Sequence, residues 1–218
     1  MIELGYSQNP KEFTNYSESV ILDTTLQPDF YKVEITISQH YKTIGKGRKS
    51  YDYIVPLDTV KSNLLVELRK LGVHQMPTLT RIFDQEEYNH RRERLLQASY
   101  ELYIYSKDTV MNLYHGLISK FETNVLKRVF ISPGISKQIL LEARAKLETI
   151  ALEKAKKNAQ KFGDSNNVSI IKIDNYQVDF REKKPYINYV QNQTMKSFNI
   201  DCSNPEYTLT VYYIFSLK

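Results

Sequence analysis

"LEARAKLETIALEKAKKNAQKFGD", Leu141 to Asp164, carries the most regular pattern in the chain. Its apolar positions recur every three or four residues, the period of an α-helix. Four of them are alanines: Ala143, Ala151, Ala155 and Ala159. Small side chains let a backbone approach its neighbour closely, so this stripe suits a rod lying flat on a sheet or crossing another helix at short range. Working outward, Ser136 reads as the N-cap and Gly163 as the residue that stops the helix. A helix from Ser136 to Phe162 would span about 40 Å at about 1.5 Å per residue. Glu142–Lys146, Arg144–Glu148 and Glu153–Lys157 are spaced for ion pairs on a solvated face. Lys154, Lys156, Lys157 and Lys161 crowd the end where they complement the helix dipole. A rod of this length outruns a small sheet. Its far part, Ala151, Ala155, Ala159 and Phe162, is the candidate contact with another copy of the chain.

The segments before the rod alternate between strand and helix signals. "SVILD" (Ser19 to Asp23) is a short strand candidate. In "DFYKVEITISQHY", Tyr31, Val33, Ile35 and Ile37 face one way and Lys32, Glu34, Thr36 and Ser38 the other, a half-buried strand. "YDYIV" reads as a further short strand. "PLDTVKSNLLVELRKLG" places Val60, Leu64, Leu68 and Leu71 on one helical stripe, with Asp58 as N-cap and Gly72 as C′ residue. "TLTRIF" and "LLQASYELYIY" are strands, "KDTVMNLYHGLISKF" a second helix, and "NVLKRVFIS" again a strand. Asp58-Thr59-Val60 recurs fifty residues later as Asp108-Thr109-Val110, each at a helix start. The order is the β-α-β-β-α-β of a ferredoxin-like module, an antiparallel sheet with both helices on one face.

After the rod, "VSIIKI" should return into the sheet. "YQVDF" and "YINYVQ" flank a polar turn at "REKKP". "EYTLTVYYIFSLK" alternates well, with Tyr207, Leu209, Val211, Tyr213, Phe215 and Leu217 inward. The fold class is therefore α+β: a mostly antiparallel sheet, a ferredoxin-like module, a long alanine-rich helix and C-terminal strands. Residues 1–17 read as a polar extension and 18–218 as one domain, with the module over 18–132 and the long helix plus C-terminal strands over 133–218.

Composition bounds the function classes. Hydrophobic content of 41% over 218 residues supports a real core. No apolar run reaches the roughly 18 residues of a membrane span. The opening "MIELGYSQNPKEF" lacks the basic and apolar regions of a secretory signal. A net charge of +5 is modest, and the signs are interspersed. A single cysteine, Cys202, rules out an intrachain disulfide and a cysteine-based zinc cluster.

Several of these stretches together resemble the SIMPL-domain family, which includes bacterial periplasmic immunogenic proteins. "PDFYKVEITI" looks like that family's opening strand and "LRKLGV" its helix ending in Leu-Gly-Val. "LQASYELYIYSKDTVMNLYHGL" resembles its Tyr- and Ala-bearing strand, turn and helix, "LLEARAKLETIALEKAKKNAQKFG" its Glu-Ala-rich helix, and "SIIKI" its next strand. The likeness spans roughly Val20 to Leu217. It implies an α+β domain, an envelope or stress-associated role in bacteria, and assembly into larger oligomers. It carries no catalytic residues. By resemblance the compartment is the periplasm or envelope; by the missing signal in this chain it is the cytoplasm.

Chemistry is thin along the chain. "IGKGRKSY", with Lys46, Arg48 and Lys49, hints at a phosphate cradle. Yet Gly45 and Gly47 are two apart and a strand follows, whereas a phosphate loop needs its glycine–lysine pair at the start of a helix. It reads as a solvated hairpin turn. "HRRER", with Arg91, Arg92 and Arg94, is a second basic cluster. On a ferredoxin-like sheet, Tyr103, Tyr105 and Tyr212 could stack single-stranded bases, the alternative reading as a nucleic-acid-binding module. The ribonucleoprotein signature is absent. His40, His74, His90 and His115 lie in separate segments without metal-ligand spacing. No catalytic motif, metal site or cofactor site is expected. The favoured reading is a non-enzymatic SIMPL-domain protein that self-assembles or binds a partner.

Overall fold

The computed structural model describes residues 15–45, 50–86, 94–122, 124–183 and 197–218. Contacts within the chain gather it into two compact units. Unit 1 takes Met1–Leu26, Lys137–Pro185 and Glu206–Lys218; unit 2 takes Gln27–Ser136 and Tyr186–Pro205. The architecture is α+β, with mostly antiparallel sheets. Lys46, Arg48, Lys49, Arg91, Arg92, His90 and "YINYVQ" lie outside the described residues.

Unit 2 is built on a five-stranded sheet of order β5-β6-β2-β7-β9: β2 (Phe30–Ser38), β5 (Thr78–Glu86), β6 (Arg94–Ile104), β7 (Leu126–Gly134) and β9 (Ser197–Ile200). All neighbours are antiparallel except β7 and β9. Helices α1 (Leu57–Lys70) and α2 (Lys107–Lys120) both pack into the core on one face. The alternation in β2 explains why: Tyr31, Val33, Ile35 and Ile37 are buried beside Ala98, Tyr100 and Leu102 of β6. Val60, Leu64 and Leu68 of α1 and Val110, Leu113 and Leu117 of α2 complete that core. The repeated Asp-Thr-Val tripeptides occupy matching places, with Val60 and Val110 each the first buried residue of its helix. Between β2 and α1 the chain makes a separate hairpin, β3 (His40–Ile44) with β4 (Tyr51–Val55), so "IGKGRKSY" joins two paired strands.

The helix ends follow local chemistry. Ser106 caps α2 by accepting from the Thr109 N–H at 3.3 Å. Gly72, at φ +82°, ends α1: its N–H reaches the Arg69 carbonyl while the Val73 N–H reaches that of Leu68. These are the two bonds of a Schellman motif, which glycine's freedom at positive φ permits. Asp58 does not cap α1. Pro56 holds that position and Asp58 lies in the first turn, where a carboxylate still suits the helix dipole. Leu71 packs so close to Gly116 of α2 that an added Cβ would sit 2.5 Å from its side chain.

Unit 1 is a three-stranded antiparallel sheet, β1 (Asn15–Thr25), β10 (Glu206–Leu217) and β8 (Ile170–Glu182) in that order, with α3 (Lys137–Asn166) on one face. The inward row of β10 is as its alternation predicts: Leu209, Val211, Tyr213 and Phe215 are buried against Val20 and the α3 alanines. Three expectations change. Residues 15–17 are not part of an extension but the start of β1, where Asn15 faces Ser216 and Tyr16 faces Phe215. "IIKI" and "YQVDF" belong to one strand, Ile170–Glu182, and read as two because Asp174 and Ile171 are extra residues against β10 that each shift the alternation by one. Helix α3 runs through Gly163 to Asn166, and Asn167, at φ 54°, is the left-handed residue. The Val168 N–H bonds the Gly163 carbonyl at 3.0 Å. Glycine is needed there for space, since a Cβ would meet the Val168 carbonyl oxygen at 2.6 Å.

Candidate binding surfaces

Three of the four stripe alanines are consumed inside unit 1, while Ala143 is half-buried. Ala151, Ala155 and Ala159 have no exposed surface, each lying under the sheet's inward row. Phe162, one turn on, stacks against Tyr16 of β1 at 4.6 Å between ring centroids. A second copy of the chain would have to meet another surface.

The opposite sheet face offers one. Outward residues of β1 and β10 include Ile21 (60% exposed), Tyr212 (52%) and Ile214 (40%). Tyr212 faces Ser19 and Ile214 faces Ser17 across the β1–β10 ladder, so small hydroxyls flank the apolar side chains. Around it the charges are paired. Lys183 reaches Asp23 at 2.9 Å and Arg181 reaches Asp179 at 3.4 Å.

The helix side of unit 1 carries a cleft of about 530 Å³ between the first half of α3 and β8. Thr149 and Leu152 form one wall, Ile173 and Val178 the other, and Tyr213 lies at the floor. Glu148 and Asp174 are among its lining residues, and the Asp174 carboxylate turns to Ser216 and Lys172 on the outward row of the sheet. Arg144 donates to Glu148 at 2.6 Å from one turn away. Asp174 accepts from Ser216 and pairs with Lys172 at 3.1 Å; these bonds, Ser216's first, hold its carboxyl below the usual range. Tyr176, 59% exposed, stacks on Tyr213 at 6.1 Å. Burial, then Glu148 and Tyr176, pushes the Tyr213 phenol up.

No protein-family model matches the chain, and no curated protein matches it.

Unit 2 has a cleft of about 510 Å³ between β3, α1 and the end of α2. Lys42, Lys70 and Lys120 line it, but so do Glu67 and Glu122, and Lys70 is bonded to Glu67 at 2.6 Å. Two of the lysines sit in the last turns of α1 and α2, where they serve the helix dipole. His40 also lines this cleft. Burial lowers its imidazole pKa, and its Nδ1 has no hydrogen-bond partner among the described residues. His74 and His115 are exposed. Among the described residues, no three His, Cys, Asp or Glu side chains gather where they could hold a metal ion. Cys202 follows β9, partly buried against the core, and burial pushes its thiol up.

The tyrosines considered for base stacking do not share a sheet. Tyr103 lies on the helix-free face of β6 in unit 2, and Tyr212 on β10 in unit 1. Tyr105 lies just past the end of β6. Next to Tyr103, the centre of that face holds ion pairs: Lys32 contacts Glu101 at 2.7 Å and Glu34 at 3.1 Å, and Arg128 contacts Glu34 at 3.7 Å. Arg94, the described member of the second basic cluster, pairs with Asp84 at 3.8 Å. No helix among the described residues is long and apolar enough to cross a membrane.

Sequence reasoning missed the cleft residues for a physical reason. Glu148 and Thr149 sit on what reads as the solvated face of α3. Tyr176 falls after the Asp174 bulge, so its inward phase is out of step with Ile171 and Ile173. The signal that could have found it is the length of β10: a strand running from Glu206 to Leu217 demands an equally long partner.

Proposed function

We propose that this chain is a non-enzymatic α+β protein of the SIMPL type that acts by self-association through the outer face of β1 and β10. The strand order β5-β6-β2-β7, with α1 and α2 on one face, supports the ferredoxin-like reading of unit 2. On the likeness alone, the setting is the bacterial envelope or its stress response.

One observation carries the self-association reading: Ile21, Tyr212 and Ile214 are exposed apolar side chains at neighbouring positions on the outward face of β1 and β10. Apolar sheet faces stack at about 10 Å when small residues allow it. A second copy is the favoured occupant because the ion pairs described on this face each join one acid to one base: Asp23 to Lys183, Asp179 to Arg181 and Asp174 to Lys172. Two identical faces then approach without net repulsion, as a two-fold contact requires.

Light scattering of the full chain tests this. A mass at least twice 25.6 kDa is expected. Tyr212→Asp with Ile214→Lys should return it to the monomer with an unchanged melting curve. A monomeric parent chain, or an oligomer indifferent to both substitutions, refutes the reading.

A further inference from the structure

Aromatic side chains of unit 1 form one row across the inward face of its sheet. Phe162 of α3 stacks on Tyr16 of β1, Tyr16 meets Phe215 of β10 at 6.1 Å between centroids, and Phe215 meets Tyr213 at 6.2 Å. Tyr213 in turn stacks on Tyr176 of β8 at 6.1 Å and 29°. The ladder makes the row continuous, because Tyr16 lies directly across from Phe215 and Tyr176 directly across from Tyr213. At one end Phe162 is half-buried against Tyr16. The other end is open. Tyr213 is 3% exposed, but Tyr176 is 59% exposed, and both rings line the cleft of about 530 Å³.

We propose that this cleft binds a flat, uncharged aromatic molecule whose ring continues the row beyond Tyr176. The cleft is of a size suited to a small ligand of about two fused rings. Leu152 of α3 and Ile173 and Val178 of β8 supply apolar walls, so ring surface gains by leaving water there. The two tyrosines favour a flat ring over a saturated one, since aromatic pairs attract beyond the area they bury. Both acids of the lining are already engaged: Arg144 holds Glu148 at 2.6 Å, and Asp174 turns outward to Ser216 and Lys172. A charged ligand would give up its hydration without gaining a partner, so the cleft selects a neutral one. Thr149 supplies a polar anchor. Its hydroxyl donates to the Ala145 carbonyl at 3.0 Å, which leaves its lone pairs to accept from an O–H or N–H of the ligand.

This inference is independent of self-association, which uses the other face of the sheet. It is tested by fluorescence titration of the full chain with 2-naphthol, a neutral bicyclic alcohol. The probe should saturate one site per chain. It should bind about fivefold tighter than decahydro-2-naphthol, a competitor that keeps the hydroxyl but loses the flat ring. It should bind at least about tenfold tighter than 2-naphthoate, which carries a charge into the cleft. Tyr176→Leu keeps apolar bulk but removes the open ring, and should weaken binding about fivefold, whereas Tyr176→Phe should not. Thr149 is exposed, so Thr149→Trp should fill the cleft without disturbing the core and weaken binding at least tenfold. The methyl resonances of Leu152, Ile173 and Val178 should shift on binding. Equal affinity for the flat and saturated alcohols, tighter binding of 2-naphthoate, or binding unchanged in Thr149→Trp each overturns the proposal. Tyr212→Asp, on the far face, should leave 2-naphthol binding intact.

Discussion

The rings of Tyr16 and Phe162 stack 4.6 Å apart at an interplanar angle of 26°, clamping the start of β1 to the last turns of α3. The clamp has a polar half. Glu18 accepts from the Tyr16 hydroxyl and from Asn158 of α3, the latter at 2.8 Å. Removing the ring, Tyr16→Ala, forfeits the stack and part of the burial, so unit 1 should lose about 2 kcal/mol. Urea denaturation followed by circular dichroism measures it. Tyr16→Phe keeps the stack and should cost less than half as much.

The same tyrosine makes an alkaline prediction. Burial first, and Glu18 second, raise the Tyr16 phenol from its ordinary value near 10 to about 12. The folded state holds its proton more tightly than the unfolded one. Its contribution is therefore fully present below pH about 10 and is lost as pH rises toward 12. Spectrophotometric titration of Tyr16→Phe against the parent should show one fewer late-titrating phenol.

At the other end of the sheet the sign reverses. Lys183 first, and Thr208 second, hold the Asp23 carboxyl below its usual range. That contribution is present above the ordinary aspartate value and fades as pH falls through the acid range. Carboxyl NMR should find Asp23 titrating lower than a free aspartate. Thr208→Val, which deletes one donor, should move it upward.

A carboxylate at Ala155 would be buried without a partner between α3 and the β10 row. Ala155→Asp should cost more than about 3 kcal/mol and unfold unit 1. Ala155→Ser should be far milder. Thermal melting separates the two outcomes, and equal melting of both variants would mean the stripe is not packed.

Gly163→Ala sets two effects against each other. Alanine favours the helix by up to about 1 kcal/mol, but its Cβ would press on the Val168 carbonyl oxygen at 2.6 Å. Backbone cannot move aside as a flexible side chain can, so a net loss of about 1–2 kcal/mol is expected in urea unfolding. Asn167→Gly relieves the positive φ and should not destabilise.

Much of this fold is legible along the chain because local and global signals agree. The inward rows of β2 and β10 are buried as their alternation predicts, although Thr36, Ser38 and Thr210 of the outward rows are buried as well, and Gly72 ends α1 as its neighbours predict. The failures share one cause: a residue serving a tertiary need looked like local punctuation. Gly163 resembles a helix stop, yet it is small to admit Val168. Asp174 interrupts a strand pattern, yet it is a bulge within a continuous ladder. Asn15 and Ser17 look like a polar tail because they are the outward half of β1. The cleft was not legible, since its walls come from elements whose approach no local pattern encodes.

The register of unit 1 has a further consequence. Val20 on β1 finds its ladder partner in Val211 on β10, with the whole of unit 2's helix-bearing stretch between them. During synthesis, β1 must therefore wait on the ribosome's exit side without its partner while Gln27–Ser136 can already close a core. Translation pauses or chaperone capture in that interval would threaten the first strand before any other.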